Sequence, residues 1–132
     1  MKNRLLFPSD TARLAGVRAE VRTFLAGCGF DDSAAALMVL ALDEACTNII
    51  RYAYDHACKP VRLEMSRHRT FVRFVLRDYG RSCDPKKIQS RALEEIRPGG
   101  LGVHIIRQAF DRVDYSPQPR GTKLTLEKRL PG

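Results

Sequence analysis

The chain has 132 residues, of which 44% are hydrophobic and 29% are charged, and its formal net charge is +8. This length and composition are typical of one globular domain with its own core, and they exclude a disordered chain. The sequence has no apolar run approaching the roughly 20 residues of a transmembrane helix and no signal-peptide pattern at its start. We therefore expect a single domain over residues 1–132, a cytoplasmic location and no membrane contact.

The basic residues are scattered along the chain and do not form one run. The sequence has no zinc-finger, basic-zipper or RNA-recognition motif, so a basic surface that meets an acidic protein is favoured over direct nucleic-acid binding. The cysteines show no CxxC pairing, which favours reduced thiols. They are Cys28, Cys46, Cys58 and Cys83.

The first part of the chain predicts an edge strand followed by two helices. The apolar run Arg4–Phe7 is closed by Pro8, as in an edge strand. Ser9 is the predicted N-cap of a first helix that begins near Asp10. A second, long helix is predicted to start at the caps offered by residues 31–33 and to fray near residues 54–56.

The rest of the chain predicts mainly strands. Val61, Leu63 and Met65 alternate with polar residues, and the apolar run Thr70–Leu76 follows after a short link, so we expect a hairpin. Further predicted elements are a short helix or mobile lid over about residues 85–100, a helix over Val103–Phe110, and a last hairpin of Val113–Tyr115 with Thr122–Leu130. This order predicts an α/β (α+β) two-layer sandwich, with helices on one face of a mixed, mostly antiparallel sheet.

Two polar residues of the long helix, Glu44 and Asn48, are four positions apart and therefore lie one turn above each other on one face. We expect that face to point inward, where unpaired polar groups cost free energy. Backbone groups or water could satisfy both side chains. Alternatively, the amide oxygen of Asn48 would suit Mg²⁺ bound together with a triphosphate, and Glu44 would then polarise a nucleophile that approaches the terminal phosphate. The apolar residues of the same stripe are Leu37, Leu40, Ala41, Ala45 and Tyr52.

Two glycine-containing segments follow. Asp78-Tyr79-Gly80 comes directly after a predicted strand, where the aspartate either closes an Asx-turn or lines a ligand crevice. Gly100-Leu101-Gly102 precedes a predicted helix, so it is either a turn or a place where backbone N–H groups meet phosphate. No GxxxxGK[ST] pattern occurs, which excludes a P-loop.

The order of these segments carries a resemblance. Glu44-x-x-x-Asn48, Asp78-x-Gly80, a Gly-Gly-Leu-Gly at residues 99–102 and Gly121-Thr122 follow one another as in the nucleotide-binding fold of gyrase-type ATPases, Hsp90, histidine kinases and MutL (the GHKL superfamily). Within it, the chain is similar to the short bacterial serine/threonine kinases that act as anti-sigma factors. The resemblance covers about residues 5–129.

This resemblance implies ATP and Mg²⁺ as cofactors and assigns roles to residues. Glu44 would be the catalytic carboxylate, and Asn48 would bind Mg²⁺. Asp78 would accept a hydrogen bond from the adenine amino group. The remaining implied cofactor-binding positions are Gly80 beside the base, Gly100 and Gly102 along the phosphates, and Thr122 in support of the adenine site.

The implied function is that of an ATP-dependent serine/threonine protein kinase, and the resemblance also implies a homodimer. It would bind a sigma factor and phosphorylate a serine or threonine of an anti-sigma-factor antagonist protein. One departure from the family pattern is Ser82, which stands where a second glycine is common and could narrow the pocket. Two alternatives stay open: a non-catalytic ATP-binding module of a partner-switching pathway, and a basic nucleic-acid-binding domain whose glycines are only turns.

Overall fold

The computed structural model describes residues 2–54, 59–80 and 102–132. The predicted lid over about residues 85–100 lies outside these residues, as do Ser82 and Gly100. In chain order the elements are β1 (Lys2–Pro8), a 3₁₀ turn (Thr11–Arg13), α1 (Leu14–Gly27), α2 (Asp32–Asn48), a π-helical turn (Ile49–Ala53), β2 (Pro60–Arg67), β3 (Phe71–Arg77), α3 (Gly102–Ala109), β4 (Arg112–Pro117) and β5 (Thr122–Arg129).

The five described strands form one sheet in the order β1-β2-β3-β5-β4, and every neighbouring pair is antiparallel. β1 lies at an edge, as its closing proline predicted, because a strand that ends in proline lacks a ladder donor there. β3, the most apolar strand, lies in the centre. The predicted hairpins β2–β3 and β4–β5 are both present, and the two-layer α/β fold is confirmed.

The core lies between one face of the sheet and the helices. Phe74 of β3 is fully buried, and its ring packs edge-on against Phe24 of α1 and Phe110 after α3, each with centroids 5.8 Å apart. Val61, Leu63 and Met65 of β2 are also buried, at 1% exposure or less. Each large apolar side chain removed from water in this way contributes about 1.5–3 kcal/mol to folding.

The start of the helical layer differs from the prediction. Ser9 does not cap α1, because its N–H donates to the Lys59 carbonyl and its Oγ accepts from the Lys59 N–H, both at 2.8 Å. Ser9 therefore extends the pairing of β1 with β2. Asp10 is the cap instead, since its carboxylate accepts from the Ala12 N–H at 3.0 Å and opens the 3₁₀ turn. Asp31 caps α2 as predicted, accepting from the Ala34 N–H at 2.8 Å.

α2 is the central helix of the layer and packs against both α1 and α3. The segment Asp32–Arg51 has the length and mean hydropathy, 1.4, of a membrane-spanning helix, contrary to the expectation that no such stretch occurs. It carries Asp43, which pairs with Arg18 of α1 at 2.7 Å. Its apolar character therefore reflects its position in the core of the domain.

Two cysteines lie in the described residues, and both are buried free thiols, as predicted. Burial in α2 raises the pKa of the Cys46 thiol to about 12. Burial also raises the pKa of Cys28. Both side chains are therefore protonated apolar groups of the core at neutral pH.

Candidate functional site

Glu44 and Asn48 lie one turn apart near the C-terminal end of α2, and both are half-buried. Partial burial raises the pKa of the Glu44 carboxyl above its usual value. The charge of the neighbouring Asp43 raises it further, and Arg51 partly opposes both effects. Arg51 itself is exposed. Glu44 is therefore a carboxylate with more affinity for a proton than a solvated glutamate.

The apolar stripe of α2 around Glu44 and Asn48 is only partly buried. This corrects the prediction that this face of the helix points inward. Ala41 and Ala45 are buried, but Leu37 is 39% exposed and Leu40 is 45% exposed. The side of α2 that faces α1, α3 and the sheet carries Met38 and Leu42 among others. Glu44 and Asn48 therefore stand at the border between the core and an open side of the helix. The side chain of Tyr52 lies outside the described part.

Asp78 stands directly after β3 and is only 3% exposed. Its Oδ1 accepts a hydrogen bond from the Gly80 N–H at 3.1 Å, which is the predicted Asx-turn. Its backbone N–H donates to the Thr122 carbonyl at 3.2 Å. Burial raises the pKa of the Asp78 carboxyl, while backbone N–H groups of Gly80 and Thr122 and the charge of Arg77 act in the opposite direction. The structure thus brings Asp78, Gly80 and Thr122 together.

Gly121 lies against Asp78 in a conformation that glycine favours, with φ of +84°. A Cβ at this position would lie 2.1 Å from the Asp78 carbonyl oxygen and 2.8 Å from its Oδ1. Only a residue without a side chain lets the β4–β5 loop approach the aspartate so closely. The Gly-Thr pair therefore has a structural reason next to Asp78.

Arg77 holds the same turn from the other side. Its NH1 donates to the carbonyl oxygen of Asp78 and, at 2.9 Å, to that of Arg120, and its guanidinium lies 4.6 Å from the ring centroid of Tyr79. No sequence pattern indicated this role, because an arginine at a strand end is ordinary. Its contacts depend on the β4–β5 loop, which is more than 40 residues away in sequence.

Tyr54 connects the two halves of the candidate site. Its buried hydroxyl donates to the Pro60 carbonyl at 2.6 Å and accepts from the Tyr79 N–H at 2.7 Å. Its N–H donates to the Ile49 carbonyl at 3.0 Å, closing the π-helical turn that follows Asn48. Such turns are frequent at functional sites. Sequence reasoning missed Tyr54, although an aromatic residue with a polar tip, placed just where a helix pattern ends, was an available signal.

Fewer contacts describe the two predicted phosphate-binding glycines, Gly100 and Gly102. Gly102 is the first residue of α3, which packs against α2. Gly100 lies outside the described residues, so no geometry relates it to Gly102. Within the described ranges, no three His, Cys, Asp or Glu side chains group as a metal site made of protein alone would require.

The arrangement combines a fixed, buried acceptor with a more accessible polar pair. Asp78 presents a carboxylate that two backbone N–H groups hold in place, and a carboxylate has capacity for further hydrogen bonds. Glu44 and Asn48 offer a proton acceptor and an amide oxygen on α2. Tyr54 ties the end of α2 to the turn after Asp78. A ligand with a hydrogen-bond donor suits Asp78, and a cation that carries anionic oxygens suits the amide oxygen of Asn48.

Comparison with known proteins identifies the family of the chain. The histidine kinase-like ATPase domain matches residues 7–128. The chain is 26% identical over 99 residues to the serine-protein kinase RsbW of Halalkalibacterium halodurans, covering 69% of this chain and 60% of the relative. It is 28% identical over 95 residues to the serine/threonine-protein kinase BtrW of Bordetella bronchiseptica, covering 67% of this chain and 66% of the relative. The chain thus spans 60% and 66% of the length of these two curated relatives.

A solved structure shares the fold. The histidine kinase domain of the blue-light-activated histidine kinase from Erythrobacter litoralis EL346 superposes with a TM-score of 0.59 at 17% identity, covering 93% of this chain and 61% of that chain. The five-stranded antiparallel sheet with its helical layer is therefore the histidine kinase-like arrangement. The chain belongs to the histidine kinase-like ATPase domain family.

Proposed function

We propose that this protein is an ATP-dependent serine/threonine kinase that acts as an anti-sigma factor in the cytoplasm. It phosphorylates a serine or threonine of an antagonist protein and binds a sigma factor. The observation that carries the proposal is the buried Asp78 carboxylate, fixed between Gly80 and the Gly121-Thr122 segment within a histidine kinase-like ATPase domain. The serine and serine/threonine kinase names of the relatives support the reaction class.

Asp78 recognises the base in this proposal. A carboxylate accepts a hydrogen bond from the exocyclic amino group of adenine, whereas guanine presents a carbonyl oxygen at the equivalent position. Gly80 lies beside the base because it has no side chain, and Thr122 supports the carboxylate through the backbone. The raised pKa of Asp78 agrees with a buried acceptor that gains from a donor, because the donor offsets part of the lost hydration.

Asn48 provides the amide oxygen for the cation, and the backbone of Gly100 and of Gly102, the first residue of α3, would meet the phosphates. When bound, ATP supplies the phosphoryl group and Mg²⁺ offsets its charge. Asn48 fits this task since hard oxygen ligands suit Mg²⁺ and the amide sits half-buried near the end of α2.

Glu44 is the proposed general base. Its pKa is raised by burial and by Asp43, and a base is most effective when its pKa approaches the working pH. From one turn before Asn48 it orients the hydroxyl of the incoming serine or threonine and takes its proton. The proposed substrate, the proposed partner and a homodimer all rest on the resemblance to anti-sigma kinases. Residues 1–132 form a single histidine kinase-like ATPase domain in this proposal.

The second candidate is a non-catalytic ATP-binding module that switches partners without phosphotransfer. It shares Asp78 and Asn48 with the kinase and differs in having no role for Glu44. The nucleic-acid alternative is not favoured, because the chain belongs to the histidine kinase-like ATPase domain family.

Titration calorimetry with ATP, ADP and GTP, with and without Mg²⁺, tests the proposal. We expect ATP to bind more tightly than GTP by about 1–3 kcal/mol, since guanine would oppose two acceptors at Asp78. Asn48→Ala should remove the part of the ATP affinity that depends on Mg²⁺. Equal affinities for ATP and GTP would contradict the role of Asp78, and unchanged Mg²⁺ dependence in the variant would contradict that of Asn48.

A further inference from the structure

The face of the sheet opposite the core, which we call the open face, carries the side chains that alternate with the buried ones. In the described part of the chain, the helices pack on the other side. The strand register places eight basic and three acidic residues on the open face. Its formal charge is therefore +5, out of +8 for the whole chain. The scattered basic residues of the sequence are thus gathered on one surface by the fold.

Three of the basic residues stand side by side in one row across the sheet. Arg62 of β2 pairs with Arg77 of β3, and Arg77 pairs with Lys123 of β5. Neighbouring strands are about 4.8 Å apart, so like charges in such a row repel one another. The other two positions of the row are Leu6 and Ser116, so the row itself contains no compensating carboxylate.

Two of the three carboxylates on the open face are each held between two arginines. The Glu64 group keeps one net positive charge, whereas the Glu127 group is neutral because Arg112 also pairs with Asp114 at 3.5 Å. Each arginine has five N–H donors, so donors remain in both groups for an external anion. The separations are 3.2 Å and 3.6 Å from Glu64 to Arg4 and Arg62, and 2.8 Å and 3.1 Å from Glu127 to Arg73 and Arg112.

The open face suits a protein better than a nucleic acid. Phe71 is its aromatic residue among those described, but the ring already stacks on His68 at 4.6 Å and lies 5.2 Å from the Arg73 guanidinium. It is therefore not available as a platform for a base, as single-stranded nucleic acids require. The centre of the face carries the small residues Val75 and Thr125, against which protein side chains can pack.

We propose that the open face is a docking surface for an acidic protein, whose carboxylates bind the arginines around Glu64 and Glu127. Arginine is enriched at protein interfaces, and its planar group binds carboxylates through two hydrogen bonds. The open face measures about 20 Å across its five strands and about 20 Å along them. This area accommodates a small protein–protein interface. It is separate from Glu44 and Asn48, which belong to the helical layer on the other side of the sheet.

A charge-matched pair of double variants tests this surface. The double variant Arg4→Gln with Arg112→Gln removes the more exposed arginine of each group, at 60% and 51%. Glu64 keeps Arg62 and Glu127 keeps Arg73, while Asp114 loses its ion pair with Arg112. Arg22→Gln with Arg107→Gln removes the same charge from exposed positions of α1 and α3. The probe is a fluorescently labelled poly-L-glutamate peptide, with duplex DNA as the competing polyanion, and anisotropy is measured at low and physiological salt.

We expect the open-face variant to bind the peptide about tenfold more weakly, and the control variant to lose about twofold or less. Amide chemical shifts of β2, β3 and β5 should move on titration with the peptide, while ATP affinity stays unchanged in both variants. The proposal is overturned if the wild type does not bind the peptide, or if the two variants lose equally, which would reflect net charge alone. Tighter binding of duplex DNA with the same dependence on the open face would overturn it in favour of nucleic acid.

Discussion

The two sides of the candidate nucleotide site are built from different kinds of structure. On the sheet side, Asp78 is 3% exposed and is held by backbone groups of Gly80 and Thr122, with Gly121 in direct contact. On the helix side, Glu44 and Asn48 are half-buried side chains of α2. The contacts of Asp78 also hold the β3 end and the β4–β5 loop together. Glu44 and Asn48 do not hold α2 in place, because other residues of the helix pack in the core.

This difference predicts how each side responds to substitution. A change on the sheet side alters folding and binding together, because the same contacts serve both. A change on the helix side alters binding or chemistry alone, because partly exposed side chains contribute little to stability. The following expectations test that contrast.

The largest expected effect is on catalysis and comes from the helix side. Glu44→Gln keeps the volume of the side chain and removes its basicity, so phosphotransfer to an antagonist protein should fall by about 10²–10⁴-fold. The free energy of unfolding should change by less than about 0.5 kcal/mol. Radiolabelled phosphate transfer and urea denaturation measure the two quantities.

Glu20→Gln on the exposed side of α1 is the matched control and should leave both quantities unchanged. A wild-type transfer rate in Glu44→Gln would exclude Glu44 as the base. Failure of the wild type to phosphorylate any cognate antagonist would favour the non-catalytic module.

On the sheet side, Gly121→Ala should reduce both stability and ATP affinity. The new Cβ would collide with the Asp78 carbonyl, and φ of +84° is strained for alanine; strained backbone of this kind costs on the order of 1–3 kcal/mol. Gly16→Ala in α1 is the control, since its Cβ meets nothing within 4 Å. That control should stabilise the protein by about 0.5–1 kcal/mol. Stability equal to wild type in Gly121→Ala would contradict the close approach.

The link between the two sides is tested by Tyr54→Phe. Loss of the hydroxyl leaves the Tyr79 N–H and the Pro60 carbonyl without their shared partner, which should cost about 1–2 kcal/mol of stability. The preference for ATP over GTP should also narrow, because the turn that holds Asp78 loses a support. If Tyr54→Phe loses stability but keeps the full nucleotide preference, its role is structural only.

The smallest effect near neutral pH is the titration of Asp78. Because burial raises its pKa, the folded protein binds this proton more tightly than the unfolded chain does. The resulting stability is fully present below the ordinary pKa of 3.8 and is lost as the pH rises through the raised value. Adenine requires the ionised form, so ATP affinity should fall on acidification once the raised pKa is reached, by about tenfold for each further pH unit.

Calorimetry across a pH series measures this dependence, and Asp78→Asn corrects for the titration of ATP itself. The ratio of wild-type to variant affinity isolates the Asp78 contribution. A ratio that does not change with pH would show that the ionised carboxylate does not bind the base.

Local sequence patterns predicted most of the fold. The alternation Val61, Leu63 and Met65 predicted a strand with one buried face, and Asp31 predicted the start of α2, since both depend on neighbouring residues. The family resemblance was likewise confirmed. Roles for Glu44 and Asn48 stay predictions.

The errors and omissions have a common origin in contacts between distant segments. Ser9 has the features of a helix cap but bonds to Lys59, fifty residues away. Leu37 and Leu40 match the apolar stripe of α2, but the packing of α1 and α3 leaves them partly exposed. Composition reported the net charge without showing that most of it lies on the open face.

The sequence by itself determined where strands and helices form, which residues carry the nucleotide-site pattern and which family the chain belongs to. Those properties follow from local periodicity, caps and the order of short motifs. Only the tertiary structure decided that Gly121 touches Asp78, that Tyr54 joins α2 to the turn after β3, and that the basic side chains share one face. Each of these depends on strand register or on loops that meet across long separations in the chain, and no local pattern encodes those distances.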